Sequence, residues 1–423
     1  MKVNPLKICK DLYNIPRSLT GRGVVKSLKY LQKYVPLTIK KISSGTDVFD
    51  WKVPPEWNID SAYIIDCSTD KKIVDFQNNN LHVVGYSESV NKELDYSELC
   101  THLHFLKDQP SAVPYVTSYY SKTWGFCLTY NQFKSLNKKS KYKVVINSEK
   151  NDSGFLHYGE LVIKGKVKEE VFFSSYICHP QMVNNELSGP SVITDIASSM
   201  LTRNNHYTYR FVWIPETIGS ITYLSLNLDY LKSNVIGGFN VTCVGDERSW
   251  GHIPSRYGNN ISDKVAEHVL KHNVKKFIQY SWLDRGSDER QYCAPGIDLP
   301  ISSITRSKYG EYPEYHTSLD NFELVTNKGL CQSVQIYMKC IEVFESNLIK
   351  PKFNVFCEPH LGKRGLYPNI STKDSPKKVK NMMNFISYCD GENTILEISE
   401  LCNIDFSESL SYFKILKKEK LIV

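Results

Sequence analysis

The sequence lacks the features that place a chain most quickly. No stretch of its 423 residues reaches the apolar length of a membrane span, which argues against an integral membrane helix. The opening residues, MKVNPLKICKDLYNIPRSLT, are too polar for the core of a secretory signal, so a cytoplasmic location is expected. None of the twelve cysteines forms a CxxC pair, which removes cysteine-based zinc motifs and leaves reduced, partly buried thiols. No internal repeat or low-complexity tract occurs, so a solenoid or a disordered array is not expected. Charge of one sign is also scarce. The net charge of +7 allows an acidic partner without demanding one.

What is present is a globular composition, 41% hydrophobic and 23% charged, in a chain long enough for about two or three domains. Early on, GVVKSLKYLQKYVP sets Val24, Leu28, Leu31 and Val35 on one helical face, closed by Pro36. Between residues 58 and 158, short alternating segments (AYIIDC, KKIVDF, LHVVGYS, YKVVINS) separated by turn residues predict a β-rich insertion. From Glu160 to about Ser346, strands and helices alternate. EEVFFSSYIC is continuously apolar, as expected of a strand covered on both faces. A helix follows, with Ser188 as its expected N-cap and Pro190 in its first turn. The expected fold class is α/β, a mainly parallel twisted sheet with helices on both faces. Its discontinuous domain is drawn as 1–57 with 159–350. The remainder, 351–423, is a Pro/Gly-rich loop followed by helices that suit a small winged helix-turn-helix.

In an open parallel sheet, ligands bind beyond the carboxyl ends of the strands. His179, Glu216, Asp246 and His316 each follow a different predicted strand. Two histidines, a glutamate and an aspartate make a coherent zinc-ligand set, and such a site also needs a carboxylate base. Singly, each also reads as an ordinary structural residue: a hydrogen-bonded histidine, a helix-capping glutamate, a turn aspartate. Their joint placement favours a site.

The stretches that carry these residues, SSYICHPQMVNNELSGP, IPETIGSITYL, CVGDERSWGHIPSRYGNN, GSDERQYCAPGIDLP and KYGEYPEYHTSLDNF, resemble the zinc aminopeptidase and glutamate carboxypeptidase superfamily. With YYSKTWGFCLTYNQF and EPHLGKRGLYP, they look closer still to the aminopeptidase-like proteins of polysaccharide-biosynthesis gene clusters. That resemblance implies a peptidase-like domain, an inserted β-rich domain and a C-terminal winged helix. It also implies His179, Asp246 and His316 as zinc ligands and Glu216 as the general base. The superfamily's bridging aspartate falls on Asn185, with a carboxylate displaced by one residue to Glu186. An aspartate that orients the first histidine falls on Gln181, and only one of two adjacent glutamates is kept.

An amide cannot bridge two cations as a carboxylate does, so one zinc ion is expected rather than two, with Asn185 or Glu186 completing its shell. Glu289, Arg290, Tyr309, Glu314 and Tyr315 are candidate substrate contacts; a solvated ion-pair loop and ordinary packing are the alternatives. The implied function is hydrolysis of an amide in a small peptide or amide-bearing conjugate. The rivals are an inactive binding protein on a peptidase fold and a winged-helix regulator. Lys414, Lys417, Lys418 and Lys420 make the last helix basic, yet no arginine or aromatic interleaving supports base readout, so nucleic acid is not an expected partner. No membrane partner is expected, and a homo-oligomer is left open.

Overall fold

The computed structural model of the chain describes residues 3–366 and 375–423. The end of EPHLGKRGLYP therefore lies outside the described residues. The backbone divides into two compact units, one running to Ser262 and taking in Ile278–Val334, the other joining Asp263–Phe277 to Gln335–Val423.

The first unit is built on an eight-stranded sheet. From one edge its strands are Thr38–Ser43, Phe155–Ile163, Thr208–Ile214, Glu170–Tyr176, Val235–Asn240, Ile301–Thr305, Gly251–Ile253 and Ile278–Gln279. The four central strands run parallel, and antiparallel pairs flank them on both sides. All seven residues of Glu170–Tyr176 and of Thr208–Ile214 are buried, as in strands covered on both faces, and the charges among them, Glu170 and Arg210, pair with each other. The chain leaves 170–176 through helix Ser188–Met200 to pair on one side, then crosses through helix Ile218–Asn234 to pair on the other. That reversal makes the carboxyl end of strand 170–176 the topological switch point, the place where open α/β sheets bind their ligands. Helix Arg22–Leu31 also packs on this sheet, with Leu28 against Gly159.

Helix 188–200 begins differently from the expected capped start. A π-turn, Val183–Leu187, runs straight into it, and Ser188 is no cap: its hydroxyl donates back to the Asn184 carbonyl. Gly189 lets this start seat on the sheet, since a Cβ there would lie 2.2 Å from Ser175 Oγ and 2.3 Å from the Val241 carbonyl.

The insertion contributes a four-stranded antiparallel sheet, ordered Lys71–Asp75, Glu56–Asp66, Lys141–Asn151, Val90–Asp95, over a core that includes Ala62, Ile64, Tyr142, Val144 and Ile146. LHVVGYS, expected to be a strand, instead forms a 3-10 turn and an irregular segment in which Tyr86 takes φ 65°. The fourth strand is the polar VNKELD, which buries Val90 and Leu94 and leaves the rest exposed, as an edge strand can. Strands 38–43 and 251–253 were not anticipated. The first is polar and at an edge, and the second has three residues.

In the second unit, helices Ser375–Ser387, Ile395–Cys402 and Phe406–Lys418 enclose Phe385, Ile398 and Leu416. Thr394 and Glu397 form a capping box, Asn403 turns the chain at φ 51°, and Asp405 caps the next helix. The closing Leu421–Val423 pairs with residues 352–354 as the wing. Among the described residues, no helix is long and apolar enough to cross a membrane.

Candidate active site

Four loops leave the parallel strands at one end of the sheet. Ile177 N donates to the Ile214 carbonyl, so His179 and Glu216 emerge side by side from adjacent strands in register. Each loop holds a non-glycine residue at positive φ: Gln181 (32°), Thr217 (61°), Cys243 (52°) and His316 (55°). Such residues cost about 1–3 kcal/mol each and persist where the surroundings over-determine them.

His179 is fixed from behind. Its Nδ1 lies 2.8 Å from Glu186 Oε2 and its Nε2 lies 3.4 Å from Glu216 Oε2. With the carboxylate of Glu186 accepting at Nδ1, Nε2 is the nitrogen presented to the cleft. Arg17 is wholly buried behind this pair. Its Nε donates to the His179 carbonyl at 3.0 Å and stands 3.6 Å from Glu186 Oε1, a pairing by charge rather than by a hydrogen bond. Burial would lower the pKa of His179, but the adjoining Cys178 sulfur and the Glu186 carboxylate carry it well above its ordinary value.

Glu186 thus turns inward, but toward the histidine. It fills the orienting role that the sequence left open at Gln181. The Gln181 side chain is engaged elsewhere, accepting from Asn80 N and donating to Asn14 Oδ1.

Asp320, which sequence reasoning passed over, shapes the loop opposite. Its carboxylate accepts from the backbone N–H groups of Val183 (3.1 Å), Asn184 (2.6 Å) and Asn185 (2.9 Å), and from Tyr312 OH (2.8 Å). It therefore caps the π-turn from 135 residues away. Asn185 Oδ1 accepts from Tyr176 OH, and its Nδ2 is buried without a hydrogen-bond partner. The residue beside Asn185 from the strand 235–240 loop is Thr242, a neutral hydroxyl.

Asp246 stands apart from this group. Its oxygens accept from Arg248 N, Ser307 N, Ser307 Oγ and Asn184 Nδ2, which ties two loops together. The expected ligand role of Asp246 is therefore revised, because four donors already occupy its carboxylate. Likewise Glu186 is committed to His179 and Arg17.

His316 joins the site from the last loop. Burial and the nearby His179 push it down to about 3, so it is a neutral imidazole at neutral pH. It stacks on Tyr315, centroids 3.9 Å apart. Tyr115, which the sequence did not single out, stands edge-on to both His179 (5.2 Å) and His316 (5.1 Å). It arrives from the insertion because residues 113–115 pair with 316–318: Tyr115 N donates to the His316 carbonyl and Ser318 N to that of Val113. Tyr119, in the aromatic motif, bonds Tyr115 OH to OH at 2.9 Å.

Of the other expected substrate contacts, Arg290 approaches the cleft and donates to Thr217 Oγ1 at 2.6 Å. Glu289 does not: it is buried, accepting from Gly286 N, Ser287 N, Asn240 Nδ2 and the Tyr309 hydroxyl. Tyr309 is spent on the same bond. Glu314 is held in a bidentate ion pair by Arg248, both bonds 2.8 Å, which keeps its carboxyl below the usual range. These three are structural in this geometry because each finds a partner within the protein.

Asp288 lies behind Glu216, with Oδ1 accepting from Thr217 N and Ser220 Oγ and Oδ2 buried without a partner. Burial and the charge of Glu216 push it up to about 7. A carboxyl whose folded pKa exceeds its unfolded value binds its proton more tightly when folded. Its stabilisation is full below about pH 4 and is lost as pH rises through about 7. Asp288→Asn imitates the protonated form. It should raise the unfolding midpoint at pH 8 by a few degrees and leave it unchanged at pH 4, as a pair of thermal melts would read.

As a metal centre the donor set suits an ion of the zinc type. The donors available here are His179 Nε2, which must first lose its proton, the neutral His316 ring and the Asn185 side-chain oxygen, with the Glu216 carboxylate 3.4 Å from His179 Nε2. Among the described residues, the group with ligand atoms within 4.8 Å of one another here is Cys178, His179 and Glu186, and these already bond one another. A second ion would need anionic carboxylates, where Asn185, Thr217 and Thr242 stand.

Comparison with known proteins agrees with this fold. Residues 6–347 match the model of a domain of unknown function (DUF4910), and residues 350–423 match a winged helix-turn-helix. A Clostridium acetobutylicum protein named as a candidate polysaccharide biosynthesis protein with an aminopeptidase-like domain is 42% identical over 400 residues, 94% of this chain and 91% of that protein. A crystal structure of a candidate peptidase from Clostridium acetobutylicum superposes with TM-score 0.92 at 39% identity, covering 99% of this chain and 95% of that one. The zinc aminopeptidase BSAP from Bacillus subtilis shares the fold at TM-score 0.58 and 12% identity, over 81% of this chain and 94% of that one. The chain belongs to the DUF4910 family of aminopeptidase-like proteins, an α/β domain of zinc-aminopeptidase fold joined to a C-terminal winged helix.

Proposed function

We propose that the chain is an amide hydrolase of the aminopeptidase type with a one-ion site, acting on a small peptide or on the N-acyl group of a sugar conjugate. The observation that carries this reading is His179, clamped at Nδ1 by Glu186 so that Nε2 faces Glu216. Glu216 is 21% exposed, and burial raises its pKa against the opposing charge of His179. A carboxylate so placed is suited to take a proton from attacking water and pass it to the leaving amine. His179, His316 and the Asn185 oxygen would hold one divalent ion, which when bound supplies carbonyl polarisation and a more acidic water. Tyr115, Tyr119 and Tyr315 wall the cleft with flat surfaces that suit a planar amide, and Arg290 offers a cation at its rim. The sugar-conjugate option rests on the name of the Clostridium acetobutylicum relative.

The test is turnover of aminoacyl anilides and N-acyl amino sugars by zinc-supplemented chain, with amine release as the readout. Turnover that a chelator abolishes supports the reading; a zinc-loaded chain inert on both classes overturns it. Three neutral ligands should hold zinc weakly. Asn185→Asp restores an anion and should tighten zinc at least about 100-fold, the upper end of what a metal's outer shell contributes, in a competition titration.

A second reading, a metal-free binding protein on this fold, is favoured by the neutral side chains of Asn185, Thr217 and Thr242 and by the buried Arg17. It expects no zinc uptake and an intact cleft.

A further inference from the structure

Asp288 and Arg290, at the start of the short helix Glu289–Tyr292, hold Thr217 between them. Asp288 Oδ1 accepts from Thr217 N at 2.8 Å, and Arg290 Nη2 donates to Thr217 Oγ1 at 2.6 Å. Thr217 follows Glu216 directly and takes φ 61°, so a strained turn sets the guanidinium beside the carboxylate of the cleft. The bond to Thr217 is the one hydrogen bond of the Arg290 side chain. Its Nε is buried without a partner, and among the described residues no carboxylate pairs with it. Arg17, Arg210 and Arg248, in the same unit, each meet a carboxylate. Arg290 is half-buried, and its charge reaches Glu216, Asp288 and Tyr315. Partial burial costs a guanidinium some of its hydration, and here no anion of the protein offsets that cost.

We propose that Arg290 binds a carboxylate carried by the amine portion of the substrate, which makes that portion an amino acid or an acidic amino sugar. This rests on the hydrolase reading of the cleft. In that reading Glu216 hands its proton to the leaving amine, so the amine lies beside Glu216. A group attached to the amine then comes within reach of the guanidinium held on the next residue. A carboxylate matches a single planar guanidinium in shape and charge. A phosphate dianion suits the place less well. Glu216 and Asp288 stand near and oppose a second negative charge, and His179, the other cation at hand, is already held by Glu186. Arg290 thus selects among amides and takes no part in the proton transfer.

Binding and turnover are measured separately, since either can fail without the other. Calorimetry on the chelator-stripped full chain compares N-acetylalanine with its carboxamide, and 2-acetamido-2-deoxyglucuronic acid with N-acetylglucosamine. At least one acid should bind about tenfold or more tighter than its neutral counterpart, the lower end for a hydrogen bond to a charged group. Which acid does so tells whether an amino acid or a sugar carries the carboxylate. Arg290→Gln should erase the preference, and Arg290→Lys, which keeps the cation, should restore part of it. The same preference should appear in kcat/KM of the zinc-supplemented chain. Acid-selective binding through Arg290 with no turnover of any amide keeps the carboxylate site and removes the hydrolase reading. Turnover of acid and neutral forms alike, binding of neither acid, or a preference that Arg290→Gln leaves intact overturns the carboxylate site.

Discussion

Glu216→Gln should lower kcat for amide hydrolysis by roughly 10²–10⁴-fold, the range a positioned general base contributes, with little change in KM. The substitution keeps the shape of a side chain that follows a fully buried strand and stands 3.4 Å from His179 Nε2. It removes the ability to take a proton and nothing else of that size. It also lifts a negative charge from the neighbourhood of Asp288, whose carboxyl that charge helps to raise. The variant should therefore be no less stable than the parent at pH 8. Metal content should be retained, since Glu216 is not among the proposed ligands. Steady-state kinetics on whichever amide is turned over, with metal analysis of the same preparation, separates these effects. An unchanged kcat would remove Glu216 from the proton's path.

Arg17→Met should destabilise the first unit by about 3–5 kcal/mol, the cost of removing one partner of a buried ion pair. Arg17 also donates to the Leu12 and His179 carbonyls, so two buried acceptors lose their donor as well. The charge left behind belongs to Glu186, which is fully buried. Pairing the change with Glu186→Gln should recover part of the loss, because no charge is then stranded. Urea unfolding of the two single variants and the double variant measures that coupling. Additive losses would show that Arg17 acts through its carbonyl contacts alone.

The fold was legible because its central strands announce themselves. Glu170–Tyr176 and Thr208–Ile214 are buried along their whole length, and their short aromatic and β-branched stretches, alternating with helical patterns, mark them as covered strands. The strand-end logic pointed to His179, Glu216 and His316, and the fold brings these three side chains close together. It over-reached with Asp246, because the same logic cannot see that Ser307 and Arg248 close around that carboxylate. Asp320, Arg17 and Tyr115 were missed for one reason. Each reaches the site from a distant segment through side chain or backbone pairing, and no local periodicity records a contact across 135 or 162 residues. Asp320 did lie inside KYGEYPEYHTSLDNF, so the motif held the signal although the role was not assigned. Glu186 was the converse case. Its place in the sequence was seen, and its direction depended on a buried arginine 169 positions earlier.

The number of ions the cleft holds tests the account most directly. Zinc binding is measured at equilibrium with the full chain. One equivalent, weakly held and lost in His179→Ala, is the expected result. Two equivalents would contradict the one-ion site, and none at millimolar zinc would contradict the hydrolase reading and favour the binding protein.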